Sequence, residues 1–248
     1  MPTTELIPLS WCLVLHFYKA WGLTPDQFGL LLLGGILVII AAAYLLGAIS
    51  PSILLSRHVL HDDVRKRGSG NAGATNMLRN YGAKFAVLTL FLDIFKTAIA
   101  MGIGYLIYQK DGAALAGLFA VLGHIFPIYY RFRGGKGFAC ATAVALLMLH
   151  PIAFAILFIC YMGILFSTKY VSLASVMVVL IFPMIQHAFH PEEGTGFLCS
   201  LLIALFVVYM HRANIKRLYN REESKIDFSK FRKKKAAKTD AQDGEADE

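Results

Sequence analysis

The chain has 248 residues, of which 57% are hydrophobic and only 16% charged. Soluble domains carry about 25% charged residues, so one water-soluble core cannot hide this much apolar surface and lipid must cover part of it. The net charge is +8, yet 11 of the 24 Lys and Arg residues lie from Arg212 onward. A basic tail beside a last apolar run marks the cytoplasmic side of a membrane. Nucleic acid is excluded as its partner, because no aromatic-rich readout surface accompanies it.

The start of the chain, residues 1–27, is read as an interfacial segment. Lys19, Trp21 and Pro25 interrupt its apolar stretch, and Met1 to Ser10 carries Glu5 but none of the basic residues of a signal peptide. Residues 28–224 form the membrane domain. Its first apolar run covers 28–55, with Gly34, Gly35 and Gly47 permitting close helix packing. A polar, basic segment covers 56–84. The second run, 85–108, contains Asp93 and Lys96, which share one helix face three residues apart. Such residues in a bilayer either pair structurally or line a polar path. Asp111-Gly112 turns the chain into a third run, 113–130. A fourth begins at Phe138 and stops near His150-Pro151. The fifth, sixth and seventh cover 152–166, 171–185 and 197–210. The predicted fold is therefore all-α, a polytopic integral membrane protein of about seven transmembrane helices. Several runs are shorter than the roughly 20 residues of a full span, so five spans is the lower alternative. From Lys225 the chain is charged and poor in apolar residues, which predicts a disordered tail over 225–248.

Seven spans sort the basic loops. Arg57, Arg65, Lys66, Arg67, Arg79 and Lys84, then Arg131, Arg133 and Lys136, then Lys169 and the tail all fall on one side. Lys110, the His150-Pro151 turn and the segment 186–196, with Glu192 and Glu193, fall on the other. This imbalance obeys the positive-inside rule and places the C-terminus and the glycine-rich loops in the cytoplasm. Cys12, Cys140, Cys160 and Cys199 are scattered without a C-x-x-C pair, so neither a disulfide framework nor a zinc site is expected.

Three clusters between the apolar runs carry chemistry. In the first, Ser69, Gly70, Asn71, Gly73, Thr75 and Asn76 follow Gly68. Its G-x-G-x-x-G spacing lacks the strand and helix of a dinucleotide fold. The residues read either as a self-satisfied tight loop or as an anion cradle, and nearby Arg79 and Lys84 favour the anion. In the second, Gly134, Gly135, Lys136 and Gly137 lack the spacing and hydroxyl of an NTPase loop. At the start of a helix they would still present free N–H groups and an ammonium to phosphate. His124 ten residues earlier reads as a packing residue. In the third, His211 and Asn214 share a helical face, with Arg217 one turn on. This is either a frayed basic helix end or a second anion-facing wall. His58 and Asp63 also fit H-x-x-x-x-D, a short pattern that often arises by chance.

Together these clusters resemble the bacterial acyl-phosphate:glycerol-3-phosphate acyltransferases of the PlsY type. Gly68 to Asn76 matches G-S-G-N-x-G-A-T-N, and Leu92 to Lys96 resembles L-D-x-x-K. Gly123 to Pro127 with Gly134 to Gly137 resembles G-H-x-x-P and G-G-K-G. Tyr170 to Ser175 resembles Y-x-S-L, and His211 to Leu218 resembles H-R-x-N-I-x-R-L. Two departures stand out: Ala48 replaces a serine of many members, and Arg221 replaces a glycine. The resemblance implies a multi-pass enzyme of the bacterial inner membrane. It would transfer an acyl group from acyl phosphate to the sn-1 hydroxyl of glycerol 3-phosphate, giving lysophosphatidic acid and phosphate. It implies no cofactor and no metal, and a soluble acyl-phosphate-forming enzyme as a further partner.

On this reading Ser69, His211 and Asn214 are catalytic. Substrate binding falls to Gly70, Asn71, Gly73, Thr75, Asn76, Arg79, Lys96, Gly134, Gly135, Lys136, Gly137, Ser172 and Arg217. Ser69, Lys136 and His211 are assigned to the donor, and Arg79, Lys96 and Ser172 to glycerol 3-phosphate. Acyl phosphate is an activated donor, so no covalent acyl-enzyme is expected, and the base is either His211 or a donor phosphate oxygen. A solute transporter would place its charges near the midplane in repeated halves, which this sequence lacks. A scaffold would explain the tail but not the glycine clusters.

Overall fold

The computed structural model describes residues 12–226. Residues 1–11 of the predicted interfacial segment, and residues 227–248 of the predicted tail, lie outside the described residues.

Helix α1, Leu13–Trp21, ends on Gly22 at φ +58°. Cys12 Sγ donates to the Ile107 carbonyl at 3.2 Å, which docks α1 against one end of the bundle. Helix α2, Pro25–Ala48, starts three residues before the predicted run because Thr24 and Gln27 form a reciprocal cap ahead of Pro25. It stops before Ser50-Pro51, where a short helix α3, Pro51–Leu54, and one π turn bend the chain. Helix α4, Ala74–Tyr81, follows the first glycine cluster.

The run Ala83–Ile125, α5, reverses at Tyr108 and Gln109, whose backbone leaves the helical region. The turn therefore lies just before the predicted Asp111-Gly112. Its two limbs meet through Gly104 and Gly112, where an added Cβ would stand 2.2 and 2.1 Å from the opposite carbonyl oxygen. Only glycine permits this backbone approach. Helices α6 (Phe138–Met148), α7 (Pro151–Thr168), α8 (Val171–Phe189) and α9 (Gly194–Met210) follow. Helix α10, Arg212–Tyr219, bends away from α9 by 56°.

The seven apolar segments alternate in direction between two ends. At one end Lys110 Nζ meets Glu193 at 2.7 Å, and His150 stacks on Phe189 at 6.3 Å. At the other end lie the glycine clusters, the start of α8 and the α9–α10 joint. Length and composition pick out four described stretches able to cross a membrane, and a fifth if α9 and α10 count as one. One of the four is the doubled-back run Ala83–Tyr130. Helix α6 has 11 residues and spans only about 16 Å, half of a roughly 30 Å hydrocarbon layer. It is one of the short runs that the sequence already shows.

Packing follows the small residues. Ala43, Ala116 and Ala120 join α2 to α5, and Gly47 brings the two backbones together at Ala120. The main core gathers around Val121, Val144, Phe182 and Ile203. A satellite of Ile53, Val64, Ala72 and Met77 supports the first glycine cluster. Large apolar side chains such as Leu30, Ile159 and Leu198 face outward, as lipid contact requires.

Candidate active site

The three clusters meet at one end of the bundle around a cavity of about 480 Å³. The first is shaped by Asn76, which is buried at 1% exposure. Its amide donates to the carbonyls of Val64, Arg67 and Asn71 at 2.9–3.0 Å, and its Oδ1 accepts from the Ser69 N–H at 3.1 Å. Gly68 and Gly70 adopt φ of +52° and +69°, so the loop coils around this one amide. Ser69, Asn71, Gly73 and Thr75 are thereby turned to the cavity, and Arg79 joins them from α4.

The second cluster packs on α5. The Gly135 N–H donates to the His124 carbonyl at 3.1 Å, and Gly137 at φ +85° opens α6. Lys136 Nζ donates to Asn214 Oδ1 of the third cluster. Asn214 Nδ2 donates to Glu223 Oε1 at 2.6 Å, Ser172 Oγ donates to the same oxygen at 2.8 Å, and Arg217 Nε donates to Oε2 at 2.7 Å. Burial alone would raise the Glu223 pKa, but these three donors outweigh it and hold the carboxyl below its ordinary value. Burial pushes the Lys136 ammonium down to about 8. Glu223 pulls it back up, and Arg217 and Arg79 add to the lowering. His211 sits at the α9–α10 joint with Nδ1 at 2.7 Å from the Val207 carbonyl. A carbonyl can only accept, so Nδ1 carries the hydrogen and Nε2 of the neutral ring keeps its lone pair.

Below this polar mouth the cavity becomes apolar, lined by Phe138, Phe154, Leu157, Tyr161, Val179 and Phe182 between α6, α7 and α8. Leu146 and Phe158 line it too and are exposed, so this lobe reaches the lipid-facing surface. One cavity thus joins clustered cationic and hydrogen-bonding groups to an apolar slot.

The family model for glycerol-3-phosphate acyltransferase matches residues 37–221. The chain is 39% identical to the glycerol-3-phosphate acyltransferase of Bacillus cytotoxicus, over 79% of this chain and 98% of that protein. It is 38% identical to the Bacillus subtilis (strain 168) enzyme of that name, over 77% and 97%. It also superposes on crystal structures of PlsY (YgiH), described as an integral membrane glycerol 3-phosphate acyltransferase. The glycerol 3-phosphate form gives a TM-score of 0.74 at 31% identity, covering 79% of this chain and 98% of that one. The lysophosphatidic acid form gives 0.70, covering 77% and 95%. The chain belongs to the glycerol-3-phosphate acyltransferase family.

Within this member of the family, Ser69, Asn71, Gly73, Thr75, Asn76, Arg79, Lys136, Gly137, Ser172, His211 and Asn214 all line the one cavity. Five other predicted binding residues do not. Lys96 lies behind it, donating to the Ile49 carbonyl at 2.6 Å and paired with Asp93 at 2.8 Å. Gly70 is a turn residue facing the Arg65 carbonyl, and Gly134 and Gly135 are backbone packing sites against His124. Arg217 reaches the site only through Glu223. Asn76 lines the cavity, but its polar atoms serve the loop.

Sequence reasoning missed Glu223, the second of two adjacent acids in a basic stretch, whose partners Ser172 and Asn214 are 51 and 9 residues away. It also read His124 as packing only, whereas His124 and Asp93 both border the cavity. Asp63 of the chance pattern is held by Arg57 and Arg65 at 2.9 and 2.8 Å and caps a short helix, so it carries no charge relay to His58.

Proposed function

We propose that this protein transfers a fatty acyl group from acyl phosphate to the sn-1 hydroxyl of glycerol 3-phosphate at the cytoplasmic face of a bacterial inner membrane. As a family member it is a multi-pass membrane acyltransferase of glycerol 3-phosphate that forms lysophosphatidic acid. The donor, the hydroxyl chosen and the orientation are the proposed part. The observation that carries the reading is the two-part cavity: Ser69, Arg79, Lys136 and His211 at the mouth, and an apolar lobe open toward lipid. A single-tailed amphiphile with a phosphate head matches both halves.

In this reaction the sn-1 oxygen attacks the acyl carbonyl carbon. The bond from that carbon to the phosphate oxygen breaks, and the hydroxyl proton passes to the departing phosphate. Lys136, Arg79 and the first loop offset the charge of two anions brought together at low dielectric. Ser69 is available to donate to the carbonyl oxygen as negative charge develops there. Asn214 engages Lys136 and Glu223 with its two ends, so its proposed role is to aim the ammonium. The phosphate leaving group is itself basic enough to take the proton, with His211 holding it. A soluble acyl-phosphate-forming enzyme is the proposed supplier of the donor.

The test supplies purified protein in detergent with palmitoyl phosphate and labelled glycerol 3-phosphate, without coenzyme A or acyl carrier protein. Labelled 1-acyl lysophosphatidic acid with stoichiometric phosphate is expected. Product that forms only from a thioester donor would overturn the reading.

A further inference from the structure

At the cavity floor lies a buried charged cluster that substrate binding leaves unexplained. Asp93, Lys96 and His124 are exposed by only 1, 7 and 4%. Asp93 Oδ1 lies 2.8 Å from Lys96 Nζ and 3.1 Å from His124 Nδ1, and Lys96 Nζ lies 3.1 Å from the same ring nitrogen. Lys96 also donates to the Ile49 carbonyl at the end of α2, so the cluster ties three helical segments together. The Cys140 thiol completes a donor set of the kind that holds a metal. The ammonium already stands between carboxylate and imidazole as the cation, which makes this an ion pair joined by a ring nitrogen. Holding three ionisable groups away from water is costly unless each is paired.

The other edge of the His124 ring faces the second glycine cluster. A Cβ on Gly135 would stand 2.0 Å from Nε2 and 2.7 Å from the Ala72 carbonyl of the first loop. The Gly135 α-carbon is therefore wedged between the imidazole and the other anion-binding loop. The His124 carbonyl accepts from the Gly135 N–H and blocks a Cβ on Gly134 at 2.1 Å. The next residue is Lys136.

We propose that His124 is a positioning residue: locked by Asp93 and Lys96, its ring holds Gly135 against Ala72 and so fixes the spacing of the two glycine loops and the reach of the Lys136 ammonium. This rests on the reading of Lys136 as a phosphate-binding cation. A shift of about 1 Å at that ammonium is enough to cost on the order of 100-fold in rate.

The experiment compares pH–rate profiles of wild type, His124→Asn, Gly135→Ala and the double variant, all with palmitoyl phosphate and glycerol 3-phosphate. Asn keeps a polar atom near the Nδ1 position and removes the half of the ring that meets Gly135. Lys136 is faced by Asn214, Glu223, Arg217, Arg79 and His211. His124→Asn should lower turnover about 10- to 100-fold and move the alkaline limb to higher pH as the ammonium rehydrates. Gly135→Ala should be severe alone but milder in the His124→Asn background, where its methyl enters the vacated space. Asp93→Asn loosens the lock without emptying the space and should move the limb the same way by less. A limb that stays in place while turnover falls would mean only a loss of folded protein and would overturn the proposal, as would independent, multiplicative effects of the two substitutions. An inactive wild type would instead count against the functional reading itself.

Discussion

At the scale of single residues, the site is governed by how few counter-charges face how many cations. Lys136 has Asn214 and, beyond it, Glu223, while Arg79 and Arg217 stand near. Its ammonium is cationic below about pH 8 and loses its charge as the pH rises through that value. Activity that needs the cation should therefore fall on the alkaline side of about pH 8. Lys136→Arg should abolish that limb, because a guanidinium does not titrate there, at the cost of a lower maximal rate from altered geometry. A pH–rate profile of both proteins checks this. Arg221 supplies a second case. Helix α10 ends with the Glu222 N–H on the Arg217 carbonyl at 2.7 Å and the Arg221 N–H on the Leu218 carbonyl at 3.1 Å. That is a Schellman turn, whose left-handed position prefers glycine, and Arg221 occupies it at φ +61°. Arg221→Gly should raise stability by about 0.5–1 kcal/mol, read as a higher melting temperature in detergent.

At the scale of elements, helix contact is set by where a side chain is absent. A Cβ on Gly47 would stand 2.2 Å from the Ala120 carbonyl oxygen, so α2 and α5 touch backbone to backbone. Gly163 in α7 has no neighbour within 4 Å of such an atom. Gly47→Ala should destabilise by about 1–3 kcal/mol through overpacking. Gly163→Ala should be neutral or stabilising by up to about 1 kcal/mol through helix propensity. Thermal unfolding of the two variants side by side makes the comparison. Both glycines lie in apolar helices, and only the neighbour distinguishes them.

At the scale of the whole molecule, the segment after α10 closes the site. Glu222 and Glu223 turn back over α8, the Ile226 N–H bonds the Lys169 carbonyl at 2.8 Å, and Lys225 lies over the Tyr170 ring. The first two residues of the predicted tail, Lys225 and Ile226, thus touch the turn between α7 and α8. Truncation after Ile226 should retain turnover, whereas truncation after Tyr219 removes Glu223, the shared acceptor of Ser172, Asn214 and Arg217, and should cost at least about 10-fold. Specific activity of the two truncated proteins, each normalised to folded protein, separates the outcomes.

Apolar runs, turn residues and the one-sided basic loops were enough by themselves to indicate an all-helical membrane protein and to mark three polar clusters that meet at the cavity, whereas Ser172 entered only through the family resemblance. These are local properties: hydrophobic length, glycine conformation and charge all show in short windows of sequence. What required the tertiary structure was the use of each group. Lys96 and Lys136 are both lysines among apolar residues. One is paired inside the protein with Asp93, and the other reaches the cavity. The apolar lobe was equally hidden, because Phe154, Leu157 and Phe182 look like any residue that meets lipid or core. Lys96 is tied to Ile49 and His124, 47 and 28 residues away, and Lys136 to Asn214, 78 residues away, and such distances are closed only when helices pack.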